Sequence, residues 1–138
     1  MSTRARIGIV RPNGSILSIY THSDGYISHH GPILLDHYNT ALKVLALIKM
    51  GDCSQLGETL DDCLFYVRDR DEAHGDNAAR TNKNQALFYQ SAPLCNAEYL
   101  YLFLPDTAVW LVAENDRGTP IPIWRDLRNE TITERLTA

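Results

Sequence analysis

Long apolar runs are missing from this sequence, so no stretch reaches the roughly 20 residues that a membrane helix requires. Cysteine is scarce. Cys53, Cys63 and Cys95 are odd in number and lack zinc-type spacing, and they read as reduced thiols of a cytosolic protein. A strong charge is lacking too: the net value of −4 is mild for 138 residues, which argues against direct nucleic-acid binding through a general basic footprint. No glycine run carries a strand into a helix as phosphate loops do, and the Ser, His and Asp residues lack a nucleophile elbow. Asp61 and Asp62 are adjacent rather than facing, a poor general acid–base pair. There are no repeats or linkers, and the N-terminal residues pass into an alternating strand rather than the apolar core of a signal peptide. What survives is one globular domain over residues 1–138, with no catalytic residue, cofactor or membrane contact expected.

What is present begins with a hairpin. Arg11-Pro12-Asn13-Gly14-Ser15 admits a two-residue loop at Asn13-Gly14, or a three-residue loop in which Pro12-Asn13 form a type I turn and Gly14 a left-handed bulge. The second pairs Ile9 with Leu17, Ile7 with Ile19 and Ala5 with Thr21, whereas the first mixes apolar and polar positions on one face. A one-residue slip turns every side chain to the other face, so the pattern selects the three-residue loop.

That register gives the hairpin a reverse face: Val10 with Ile16, Gly8 with Ser18, Arg6 with Tyr20, and Arg4 with His22. Asp24 and Tyr26 lie just beyond, in a turn where Gly25 is expected to take the positive φ. Arg4, Arg6, Tyr20, His22, Asp24 and Tyr26 are therefore the candidate binding residues. Forked guanidinium hydrogen bonds and aromatic stacking suit an anionic or planar group, beside a floor at Gly8 and Ser18 that lacks bulk. The plainer alternative, which stands ahead because strand faces of this kind are common, is a solvated face with cross-strand cation–π contacts.

His22, His29, His30 and His37 crowd into one span, read as a loop that feeds a helix. They lack the cysteines or the HExxH spacing of zinc sites, and the adjacent pair would point apart in extended chain, so no metal is assigned. Gly31-Pro32 reads as the start of a short helical turn. The main helix is expected near 39–50, capped by Asn39 or Thr40, stopped at Gly51, and apolar at Leu42, Val44, Leu45, Leu47 and Ile48.

Further on, Cys63–Val67 reads as a strand, and residues 73–85, almost free of apolar anchors, as a mobile loop. Glu98–Leu104 and Ala108–Ala113 form a second hairpin. The first of these is greasy on both sides and so is expected to be covered on both faces. Residues 120–124 are expected as an edge strand or tail, and Thr131–Glu134 as a capping box opening a terminal helix. The fold class is α+β: an antiparallel sheet of about four to six strands with the main helix on one face.

The segments STRARIGI, NGSILSIYTHSDGY, HHGPILLDHYNT and LIKMGDCSQLG resemble a group of small phage and prophage proteins of unassigned function. Members often carry a tryptophan inside the His-x-Asp-Gly-Tyr turn, where this chain has Ser23. The resemblance covers the N-terminal part and fades afterwards. It implies a viral origin and a place in the host bacterial cytoplasm. By analogy it implies non-enzymatic inhibition of a host defence protein, in a system such as CRISPR–Cas, through the acidic 58–76 region or the hairpin's reverse face. Two other readings stand beside it: a protein that sequesters a nucleotide ligand with Arg4, Arg6, Tyr20 and His22, and a metal-dependent hydrolase built on the histidines. The sequence leaves a homo-oligomer open.

Overall fold

The computed structural model describes residues 2–115 and 122–137, the side chains of 133–137 excepted. Strands β1 (Ala5–Val10) and β2 (Ile16–Thr21) pair in the expected register, Ile9 opposite Leu17 and Arg6 opposite Tyr20. The turn is the three-residue solution. Gly14 N–H donates to the Arg11 carbonyl at 2.8 Å, Arg11 N–H donates to the Ser15 carbonyl at 2.8 Å, and Gly14 sits at φ +84°. Arg4 and His22 lie outside this ladder: the His22 N–H donates instead to the Cys53 carbonyl.

The histidine segment is helical, not a loop. Helix α1 (Ile27–His37) runs through Gly31 and Pro32 instead of starting at them. Burial of Ile27, His30, Gly31 and Leu34 outweighs the local Gly-Pro signal. In the preceding turn Asp24, not Gly25, takes the positive φ, at 58°. Gly25 is needed there for close approach, since a Cβ would run into Ala5 and the Thr3 carbonyl.

Helix α2 (Ala41–Lys49) forms where expected, with Thr40 Oγ1 accepting from Lys43 N–H at 3.3 Å. Its buried stripe is narrower than the composition suggests. Val44, Leu47 and Ile48 are fully buried, but Leu42 is 82% exposed.

After α2 come β3 (Cys53–Gln55) and β4 (Leu64–Phe65). The strand expected over 63–67 ends early, because the chain turns into the short helix α3 (Tyr66–Arg70). Asp69 is the local cause: its carboxylate accepts from Phe65 N–H at 2.8 Å and so folds the chain back on itself. The 73–85 segment holds helix α4 (His74–Asn77) and strand β5 (Arg80–Asn82), which pairs antiparallel with β2. Its order comes from that edge pairing, which an anchor-poor sequence does not announce.

Helix α5 (Gln85–Gln90) leads through a 3₁₀ turn at Ala92–Cys95 to the hairpin of β6 (Tyr99–Leu104) and β7 (Val109–Glu114). Of the 120–124 segment, 120 and 121 lie outside the described residues. Residues 122–124 have no regular structure, and β8 (Arg125–Asp126) follows. Helix α6 (Leu127–Thr137) starts at Leu127, so Thr131 is interior to it and its hydroxyl donates back to the Leu127 carbonyl at 2.7 Å.

The α+β class stands, with a larger and mixed sheet that has eight strands among the described residues. Along its main path the order is β4-β3-β2-β1-β6-β7-β8, with β5 also on β2. The β1–β6 and β2–β3 pairings are parallel. As its doubly apolar sequence requires, β6 is covered on both faces. Tyr101 and Phe103 join the core with Ile7, Ile19, Leu34 and Leu47, while Leu100 and Leu102 join a second core with Ile16, Phe88 and Ala92. Among the described residues no helix is long and apolar enough to cross a membrane.

Candidate functional site

The second core changes the reverse face of the first hairpin. That face is not an ordinary solvated surface, because α5 and the 3₁₀ turn cover much of it. The bulk-free floor at Gly8 is filled by Phe88, and a Cβ there would meet Ile16 Cγ2 at 2.9 Å and Phe88 Cζ at 3.2 Å. Arg6 is only 4% exposed and Ser18 fully buried. Beyond this cover the face opens into a cavity of about 530 Å³, lined by Arg4, Arg6, Tyr20, Asp52 and Arg80, with Asn82, Leu94 and Cys95 at its walls. That volume suits a small molecule.

Each wall is placed by backbone geometry. Arg6 and Tyr20 are cross-strand partners, so the register sets them side by side. Arg6 Nη2 donates to Ser18 Oγ at 2.6 Å. Gly51, at φ +85°, stops α2, and a Cβ there would strike the Asn77 carbonyl. The next residue, Asp52, is thereby turned under β2. Its carboxylate accepts from Tyr20 N–H at 2.8 Å and from Arg80 Nη1 at 3.0 and 3.2 Å. The pairing of β5 with β2 brings Arg80 and Asn82 to the cavity rim.

The electrostatics are cationic. Three guanidinium groups face one carboxylate, in a protein whose overall charge is −4. Burial pulls the Arg6 pKa down and the like charge of Arg80 adds to this, offset first by Cys95 and then by Asp52. The same desolvation pushes Asp52 up, against the hydrogen bonds from Tyr20 and Arg80 that favour its charged form. Burial likewise raises the Tyr20 phenol to about 12, so it stays a neutral hydroxyl, bonded at 2.8 Å to His22 Nδ1.

Three buried side-chain atoms among the described residues have no hydrogen-bond partner: Arg4 Nε, Arg6 Nε and Asn82 Oδ1. All three residues line this cavity. Each has almost no accessible surface, and leaving such a group unpaired costs about 1–3 kcal/mol, so the three mark a strained polar layer behind the cavity surface.

Of the six candidates read from the sequence, the structure brings Arg4, Arg6 and Tyr20 together at the cavity, with His22 held behind the tyrosine hydroxyl. Asp24 and Tyr26 do not line it. They lead into α1, which packs on the opposite face, and Asp24 acts there on Tyr26, raising its phenol pKa. Asp52, Arg80, Asn82 and Cys95 were not legible as site residues. Their only local signal is the Gly51 stop before Asp52.

The histidines do not converge. His30 is buried with its Nε2 2.9 Å from Thr21 Oγ1, His29 touches His30, His22 serves Tyr20, and His37 faces Glu58 at 3.7 Å. Among the described residues no group of three or more His, Cys, Asp or Glu side chains is arranged to hold a metal ion. Comparison with protein-family models, curated proteins and solved structures finds no match to this chain.

Proposed function

We propose that this chain is a phage-type accessory protein that inhibits a host defence system such as CRISPR–Cas by binding rather than by catalysis, with the arginine cavity as its working surface. The observation that carries the binding reading is the cavity itself: cationic, concave and built on paired strands, which position a contact better than a loop does. Ser91 and Cys95, also in the lining, are held by their own turn: Ser91 Oγ donates to the Phe88 carbonyl at 2.6 Å and Cys95 Sγ to the Ala92 carbonyl at 3.6 Å, while Thr81 Oγ1 accepts from Arg11 Nη2 at 3.2 Å. The defence role comes from the resemblance to phage proteins. The excess of guanidinium charge in a cavity of about 530 Å³ favours a second reading, a protein that sequesters a nucleotide ligand rather than one that binds a defence protein.

The test is protection of an infecting phage in a bacterium with active CRISPR–Cas immunity that expresses this chain. Plating efficiency should rise by about tenfold or more, and the Arg4→Ala, Arg80→Ala double variant should lose that protection while staying folded. Arg6 is avoided in this variant because it is buried against Ser18. No protection by the wild type, or full protection by the variant, rejects the proposal.

A further inference from the structure

We infer that the cavity binds a nucleoside monophosphate, with the phosphate on the guanidinium side and the nucleoside towards Asn82 and Leu94. This deepens the reading of the cavity as the working surface and rests on that placement.

Charge identifies the anion. One carboxylate, Asp52, bonds Arg80 at 3.0 and 3.2 Å and acts at longer range on Arg6, so three guanidinium groups against one carboxylate leave the equivalent of two positive charges in the lining. A phosphate monoester carries nearly two negative charges at neutral pH and presents three acceptor oxygens. A carboxylate supplies one charge and two oxygens. Guanidinium groups such as those of Arg4 and Arg80 in the lining offer the forked donor geometry that phosphate oxygens accept.

The rest of the lining suits the other half of the ligand. Asn82 brings to the cavity a side-chain amide, which can both donate and accept. A sugar hydroxyl or a base edge can pair with it. On the rim Leu94 is 87% exposed, an apolar surface that a flat ring would cover. The cavity's volume of about 530 Å³ accommodates one nucleotide. Guanidinium donors, an amide and an apolar side chain in one lining fit a nucleoside phosphate better than inorganic phosphate or a free base.

Isothermal titration of the full chain with 5′-AMP, 5′-GMP, adenosine, inorganic phosphate and a short single-stranded oligonucleotide tests this. One of the two nucleotides should bind once per chain, adenosine at least about tenfold more weakly than AMP, and inorganic phosphate should compete. Arg4→Gln and Arg80→Gln should each weaken nucleotide binding by about tenfold with an unchanged circular dichroism spectrum. Asn82→Leu should weaken nucleotide binding but leave inorganic phosphate binding intact. Failure of both nucleotides to bind below about 1 mM overturns the inference. So does equal affinity for AMP and adenosine, insensitivity to both arginine variants, or tight binding of the oligonucleotide alone. Nucleotide binding in a protein that gives no phage protection upholds this inference and removes the defence role. Protection without nucleotide binding does the reverse.

Discussion

The Arg80 guanidinium lies 3.0 Å from the Asp52 carboxylate, and the same carboxylate caps the Tyr20 N–H of β2 at 2.8 Å. One buried side chain thus ties the stop of α2, the outer strand β5 and the first hairpin into a single wall. The two partners are unequal, because Asp52 is 5% exposed and Arg80 46%. Replacing Asp52 by Ala leaves the Tyr20 N–H without an acceptor and should cost about 1–3 kcal/mol in chemical denaturation. Replacing Arg80 by Ala removes the donor at 3.0 Å from Asp52 Oδ2 and leaves a buried carboxylate on the Tyr20 N–H alone, so it too should cost about 1–3 kcal/mol. A loss under about 0.5 kcal/mol for either variant would show that this carboxylate is solvated rather than buried.

The two sides of α2 make a paired prediction. Leu47 is fully buried and Leu42 is 82% exposed, although both belong to the same apolar pattern. Leu47→Ala should lose about 2–5 kcal/mol by opening a cavity in the core. Leu42→Ala should stay within about 0.5 kcal/mol of wild type. Urea unfolding of both variants checks this, and similar losses would mean that Leu42 is covered in solution.

His30 sets a pH dependence. Burial, aided by the neighbouring His29, lowers its pKa from the ordinary 6.5 to about 3. Between those values the unfolded chain binds a proton that the folded chain does not. His30 therefore leaves stability intact above about pH 6.5 and erodes it as pH falls towards 3, by up to about 1.4 kcal/mol per pH unit. His30→Leu should be weaker at neutral pH, because Thr21 loses its partner at 2.9 Å, yet show a flatter decline on acidification. Parallel slopes for the two proteins between about pH 4 and pH 6 would assign the acid sensitivity to other groups.

Gly8 tests the cover over the reverse face. An added methyl would press on Ile16 Cγ2 and on the Phe88 ring, 2.9 and 3.2 Å from the new atom. Gly8→Ala should cost about 1–3 kcal/mol and loosen α5, read as faster amide exchange over residues 85–90. An unchanged stability would show that α5 is not packed on β1.

The sequence by itself determined the hairpin register, because only one loop length keeps Ile7, Ile9 and Ile19 on one face. It determined the double burial of β6, because alternating aromatic and leucine positions leave no wet side. It also determined the adjacency of Arg6 and Tyr20, which follows from that register. The register and the adjacency are short-range consequences of periodicity and turn chemistry, whereas the cover that β6 demands is supplied by elements packed on it from elsewhere in the chain. Tertiary structure alone decided that α5 closes over Gly8, that β5 forms on β2 from an anchor-poor segment, and that Asp52, Arg80 and Asn82 arrive beside the arginines. It also overrode the Gly-Pro signal by running α1 straight through it, and it scattered the histidines along that helix and its neighbours. Such contacts join residues dozens of positions apart. Their free energy comes from apolar burial and from pairing backbone and charge across the sheet, and neither leaves a local pattern to read.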